Sequence, residues 1–395
     1  MVLLSGTADN IEHVISYWVI FQAFHSPTLA GFAVISHWVP FLLFSVHAGA
    51  LADRYDCRKL IQISQGLFAL ASLSWALLFL TGTLQVWHAA ALLLIHGAAG
   101  VIGLPASQLM VYDIVGPERL PSAIRLNATS RYLSILLGPA VGGGLMLALG
   151  PGKGLLANIL IYAPFTLFLA RTPYTGHLRD AERRRRAPRT GLFEIRRLLG
   201  EARRDPRLIT MIVLGGITSV LVGNAYQAQM PEYAHHLGTD DAGTRYSVLL
   251  AANAVGAIIG AVLLESAPFV GVSPRTAIGC AAVWGVLMAL FPVTSSYPAA
   301  VVLLVLAGTF NIAFTSMAQT IIQLLAPPQL RGSMVGLYNT SMLGLRAGSG
   351  VTIGVLGAVI GVQWSLALSS AAVVLIALGL LVADLRSPPR PGLTV

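Results

Sequence analysis

Apolar runs near or above 18 residues recur along the whole chain, separated by short polar breaks. Each is long enough to cross a hydrocarbon core of about 30 Å. The pattern predicts twelve membrane-spanning helices, near 1–24, 29–50, 60–80, 88–112, 121–147, 155–171, 207–230, 246–264, 276–293, 298–324, 334–358 and 363–384. The runs are continuous rather than alternating, which argues against an outer-membrane barrel. The longest polar break divides the spans six and six. The expected organisation is an N-terminal six-helix half (1–171), a basic cytoplasmic linker (172–206), a C-terminal six-helix half (207–384) and a cytoplasmic tail (385–395). The expected fold class is an all-α polytopic membrane protein.

Composition agrees with the pattern. Of 395 residues, 55% are hydrophobic and 10% charged, against about 25% charged in soluble domains, and the mean hydropathy is +0.75. Cys57 and Cys280 lie far apart, so no disulfide scaffold or metal site follows from them. No cleavable signal is expected, because the first run carries Asp9, Glu12 and His13 and lacks a basic leader.

The net charge of +9 reads as orientation rather than nucleic-acid binding. With the loop after span 2 in the cytoplasm, 21 of the 25 Lys and Arg fall on the cytoplasmic side; Lys153 and Arg245 lie outside, and Arg131 and Arg346 within spans. Both termini are then cytoplasmic, and a monomer in the bacterial inner membrane is expected. The linker carries Arg183–Arg186, Arg189, Arg196, Arg197, Arg203 and Arg204, and Leu192–Leu199 has the pattern of a short amphipathic helix. Such a linker is attracted to the anionic inner leaflet, by about 1 kcal/mol per charge near the surface.

The halves echo each other at an offset of 210 residues. Pro117-Glu-Arg-Leu120 matches Pro327-Pro-Gln-Leu330, and Gly138, Val141 and Gly144 match Gly348, Val351 and Gly354. Two similar six-helix halves suggest a transporter with its site where they face each other.

A charged island, Gly49-Ala-Leu-Ala-Asp53-Arg54-Tyr-Asp-Cys-Arg58-Lys59, interrupts the apolar pattern after span 2. It resembles the loop 2–3 signature of the major facilitator superfamily. The resemblance implies the twelve-helix major facilitator fold and a cytoplasmic gate. In that gate Gly49 allows close helix approach, Asp53 acts on the positive end of a neighbouring helix, and Arg58 pairs with an acid in span 4, for which Asp113 is the candidate; Arg54 and Lys59 complete the cluster. Pro117-Glu118-x6-Arg125 is similar to a further gate element of the superfamily. Gly138-Pro139-x-x-Gly142-Gly143 resembles its span-5 antiporter motif, with glycines for tight packing and a proline-induced kink. Gln229-Met-Pro231-Glu-Tyr233, Tyr246-Ser-Val-Leu-Leu and Gly256-Ala-Ile-Ile-Gly260-Ala are similar to the branch of the bacterial enterobactin exporter and related small-molecule efflux permeases.

Charges within a bilayer are costly and default to functional hypotheses. Asp9, Glu12, His13 and Ser16 share one face of span 1. Asp9 and Glu12 are the proton-coupling candidates, with His13 a modulator. Arg131 and Arg346 either attract an anionic substrate or pair with Asp9 or Glu12; structural pairing or snorkelling is the alternative. Asn311, Thr315, Gln319 and Gln323 form a polar stripe on span 10, lining a cavity or bonding between helices. His96, in a span without the arginine of many drug exporters, is either its substitute or a packed hydrogen-bonding residue.

The expected function is secondary active export of amphipathic small molecules, siderophore or drug-like, by proton antiport. Import of a siderophore or nutrient by the same fold, or a non-transporting membrane sensor, are the alternatives. The expected partners are the small-molecule substrate, protons and lipid, with no nucleic acid. No cofactor is expected beyond the proton gradient, since no Gly-x4-Gly-Lys-Ser/Thr string is present, and no catalytic or metal cluster stands out.

Overall fold

A computed structural model of the chain describes residues 2–176, 192–238, 243–266, 272–326 and 331–386. Among these residues the regular structure is helical, with no strand. The first part runs α1 (Val2–Phe24), α2 (Pro27–Arg54), α3 (Cys57–Leu80), α4 (Val86–Leu149) and α5 (Pro151–Arg171). It continues with α6 (Leu192–Ala202), α7 (Pro206–Leu221), α8 (Ala225–Ala228), α9 (Met230–His236), α10 (Thr244–Ser266), α11 (Pro274–Leu290) and α12 (Tyr297–Leu325). Last come α13 (Arg331–Leu343), α14 (Ala347–Ser349), a π-helical turn over Gly350–Val355, α15 (Leu356–Ile360) and α16 (Val362–Arg386).

Among the described residues, ten helices or helix segments are long and apolar enough to cross a membrane. The other two predicted spans fall on α1, 23 residues long but carrying Asp9 and Glu12, and on the shorter apolar stretch Leu133–Leu149. The chain is a multi-pass membrane protein.

Local chemistry sets the helix ends. Ser26, Ser273 and Ser296 accept amide hydrogens of the first turns of α2, α11 and α12, each with a proline in that turn. α4 spans two predicted membrane segments and breaks at Gly116, with φ 76° and ψ 171°. Only glycine adopts such a backbone cheaply. The break falls between the two predicted segments.

Two units are separable. The first comprises Met1–Leu29, Ser36–Arg189 and Asp240–Ser247; the second comprises Ala30–Ile35, Thr190–Thr239 and Val248–Val395. In the first, Ala8 of α1, Phe68 of α3, Ala99 of α4 and Tyr162 of α5 form one buried cluster. Ala52, Cys57, Ile61, Met110 and Leu169 contribute to another. In the second unit, α6 covers the amphipathic segment expected at 192–199. Its Leu198 and Ala202 are buried with Met211, Ile278, Phe314 and Ile321, while Arg196 and Arg197 are exposed.

The span-5 glycines explain how α1 is seated. A Cβ added at Gly138 would lie 2.3 Å from Asn10 Cβ, and one at Gly142 would lie 3.4 Å from Val14. Four residues apart, the two glycines form a trough in which α1 rests. A Cβ at Gly143 would meet Ser247, of the same unit, at 2.5 Å.

Candidate functional site

The trough on α4 turns one face of α1 inward and carries its charged residues with it. Glu12 is 1% exposed and His96, facing it from α4, 4%. α2 closes on the same point. A Cβ at Gly97 would lie 2.0 Å from the Ser36 carbonyl oxygen, so this glycine permits a backbone contact that places His37 next to His96. Asn158 of α5 donates to the Ala8 carbonyl at 3.0 Å and holds α1 from the other side.

Six polar side chains from four helices form one network. His96 Nδ1 lies 2.7 Å from Glu12 Oε1, and Ser72 Oγ donates to Glu12 Oε2. Asn158 Nδ2 donates to Ser72 Oγ at 3.4 Å. The second ring nitrogen of His96 lies 2.9 Å from Asp9 Oδ1. That approach is close but not aligned as a hydrogen bond, and neither of these two buried atoms makes one. His13 Nδ1 lies 2.9 Å from the Asp9 carbonyl oxygen and 3.7 Å from Asp9 Oδ1. Since a carbonyl and an ionised carboxylate only accept, Nδ1 of both His13 and His96 carries a proton.

The rings crowd together. Centroids of His13 and His96 are 4.7 Å apart, those of His13 and His37 5.0 Å, and Phe68 stands edge-on to His96 at 4.8 Å. The paired charges tolerate burial because each has an opposite or hydrogen-bonding neighbour. The arrangement suits exchange of a small cation with a carboxylate–imidazole pair.

Sequence reasoning singled out Asp9, Glu12 and His13 and left His96 open between two uses. It did not find His37, Ser72 or Asn158. The available signal was a polar residue inside an otherwise apolar run. The expectation that no metal-ligating cluster stands out also changes here, because one nitrogen each of His13, His37 and His96 lies within 4.8 Å of the others.

The gate residues behave differently from expectation. Arg58 pairs with Asp56 through Nε, at 3.0 Å, and Nη2, at 2.6 Å, and donates from Nη1 to the Thr172 carbonyl at 2.8 Å. Asp56 also caps α3 through the Arg58 amide. A partner two residues away costs little chain entropy, so it prevails over the Asp113 pairing expected across helices. The Arg58 hydrogen bonds hold the Asp56 carboxyl below the usual carboxylate range. Buried Asp113 instead accepts the Gly176 amide at 2.9 Å, and Cys57 donates its amide to Thr175. The start of the linker is thereby tied to α3 and α4. A Cβ at Gly49 would meet nothing within 4 Å among the described residues. Arg54 and Lys59 are exposed. The side chains of Asp53, Glu118 and Arg125 lie outside the described residues, as does that of Gln323.

Arg131 is exposed, and both span-1 carboxylates face His96 instead. Arg346 Nε donates to the Met342 carbonyl of its own helical segment at 3.2 Å. The span-10 stripe is divided. Thr315 bonds back to the Asn311 carbonyl at 2.9 Å, Asn311 is half-buried and Gln319 is exposed.

Comparison with known proteins places the fold. The profile of the Major Facilitator Superfamily matches residues 1–347. The Staphyloferrin A transporter of Staphylococcus aureus (strain NCTC 8325 / PS 47) is 22% identical over 146 residues, a match spanning 37% of this chain and 37% of that relative. The crystal structure of the nucleoside transporter NupG is 14% identical, with a TM-score of 0.72, over 98% of each chain. A bacterial homologue of the human lysosomal transporter Spinster, inward-facing and unoccupied, is 14% identical with a TM-score of 0.71, over 98% of this chain and 95% of that one. The D-xylose–proton symporter is 15% identical with a TM-score of 0.69, over 96% and 95%. With a profile match over most of its length and the same helical fold, this chain belongs to the major facilitator superfamily.

Proposed function

We propose that this transporter exports amphipathic small molecules, siderophore or drug-like, across the bacterial inner membrane by proton antiport, with both termini in the cytoplasm. The observation that carries the coupling reading is the buried pairing of Glu12 with His96, beside Asp9, inside a membrane-spanning unit. Buried ionisable groups are expensive in a membrane and mark ion pathways when they persist. Ser72 and His96 together occupy both oxygens of Glu12, so gain or loss of one charge rearranges the whole network. That makes the cluster suited to link a cation step to a conformational one. A siderophore-like cargo is supported by the relative named for staphyloferrin A, over about a third of the chain.

The test is transport in proteoliposomes of defined orientation. Staphyloferrin A and a cationic amphipathic dye serve as probes under an imposed proton gradient. Export coupled to protons predicts substrate movement against the direction of proton flow. Movement of substrate with the protons supports the importer reading instead. No flux with any probe, in protein that is folded and inserted, favours a sensor.

A further inference from the structure

We infer that His13, His37 and His96, with Asp9, form a binding site for a divalent transition-metal ion of the zinc, cobalt and nickel class. The inference needs neither the export direction nor the proton coupling.

Three observations converge on it. First, one ring nitrogen of each histidine lies within 4.8 Å of the other two. A tetrahedral ion with metal–nitrogen bonds of about 2.0–2.1 Å would bring such donors to about 3.3 Å apart. The donors would close by at most about 1.5 Å when an ion enters. Second, the rings are oriented as metal-binding imidazoles are. His13 gives Nδ1–H to the Asp9 carbonyl, and His96 gives Nδ1–H to the Glu12 carboxylate. In a neutral ring this leaves the lone pair on Nε2. A carbonyl or carboxylate holding the distal N–H is the usual outer support of a ligating histidine. Glu12, fixed by Ser72, is that support for His96. Third, His96 Nε2 and Asp9 Oδ1 form a buried ion pair 2.9 Å apart that is not aligned as a hydrogen bond. An ion displacing the proton between them would find a nitrogen and an oxygen donor already side by side.

The donor set decides the class of ion. Three imidazoles and one carboxylate suit borderline transition metals. Calcium and magnesium require mostly oxygen donors, and no thiol is present to select copper(I). The bland alternative is a histidine cluster held only by ring packing and ion pairs. It accounts for both His96 contacts, with Glu12 and with Asp9, but gives no reason for a ring nitrogen from each of three histidines to converge.

The experiment uses the full chain in detergent with its purification tag removed, titrated with Co²⁺ and followed by visible absorption and calorimetry. One Co²⁺ per chain, with the visible bands of a tetrahedral nitrogen–oxygen site, is expected. His13→Ala/His37→Ala should abolish saturable binding, and Glu12→Gln should weaken it about 10–100-fold by releasing the support of His96. His37→Cys guards against misfolding as an explanation, because it should keep the ion and add a near-ultraviolet sulfur-to-cobalt charge-transfer band. Two results would overturn the site: no saturable Co²⁺ binding by the folded wild-type chain, or binding by the His13→Ala/His37→Ala variant equal to wild type. No gradient or cargo is involved, so a failure here is distinct from a failure of the export reading.

Discussion

His96 presents Nδ1 to the Glu12 carboxylate at 2.7 Å, with both side chains almost wholly buried. Removing one member of such a pair leaves the other uncompensated. Glu12→Ala is expected to destabilise the protein by about 3–5 kcal/mol, read as a drop in thermal unfolding temperature in detergent. Glu12→Gln keeps the shape and an acceptor for Ser72 or His96, so it should lose far less stability while losing coupled transport. Equal melting of wild type and Glu12→Ala would show that the pair is not closed in the folded protein.

Gly97 sets the approach of α2 to α4. A Cβ there would sit 2.0 Å from the Ser36 carbonyl oxygen, and backbone cannot swing aside as a side chain can. Gly97→Ala should cost about 1–3 kcal/mol or more and separate His37 from His96. Thermal unfolding measures the first effect. Cysteine cross-linking between positions 37 and 96, whose rings lie 5.5 Å apart, would report the second, through slower bridging when Gly97→Ala is added.

The span-5 glycines should not be equivalent. Gly138→Ala places a Cβ 2.3 Å from Asn10, whereas Gly142→Ala makes an ordinary 3.4 Å contact and Gly144→Ala meets nothing within 4 Å. Melting should therefore fall clearly for Gly138→Ala and little for Gly142→Ala. For Gly144→Ala it should rise slightly, since alanine is better than glycine in a helix by about 0.5–1 kcal/mol. The same melt for all three variants in the opposite order would refute the seating of α1 in this trough.

Asp113 and Gly176 tie the linker to the first unit through a buried carboxylate–amide hydrogen bond of 2.9 Å. Asp113→Asn keeps an acceptor and should be mild. Asp113→Leu leaves the amide unsatisfied and should cost about 1–3 kcal/mol. Limited proteolysis of the linker, expected to quicken for Leu and not for Asn, checks the contact.

Asp56 contributes through its cap on α3 and its pair with Arg58. Its folded carboxyl titrates below the usual range because Arg58 hydrogen-bonds the charged form. The contribution is thus fully present above the ordinary unfolded carboxylate value and is lost as pH falls through the lower, folded value. Asp56→Ala, costing about 1 kcal/mol at neutral pH, should flatten that part of the acid dependence of melting.

Much of the fold was legible in the run lengths, since apolar stretches sized to a bilayer and bounded by Ser-Pro and glycine signals leave few alternatives. The amphipathic pattern at 192–199 likewise read directly into α6. The site was legible only in part. Asp9, Glu12 and His13 stand out because charges on one face of an apolar helix are costly within a bilayer. Their partner was hidden because His96 lies 84 positions from Glu12, and only packing of α1 in the α4 trough joins them. His37 was missed for the same reason, as its approach depends on Gly97 in another helix. The Arg58–Asp113 expectation failed where a local partner, Asp56, competed from two residues away.

The central claim is that the Glu12–His96 pair couples a cation to substrate movement. The most direct measurement is proton flux across proteoliposomes on addition of substrate, reported by a trapped pH indicator, for wild type and Glu12→Gln side by side. The account predicts substrate-induced proton movement opposite to the substrate in wild type, and none in a folded, inserted Glu12→Gln protein. Equal proton flux in both proteins would contradict it.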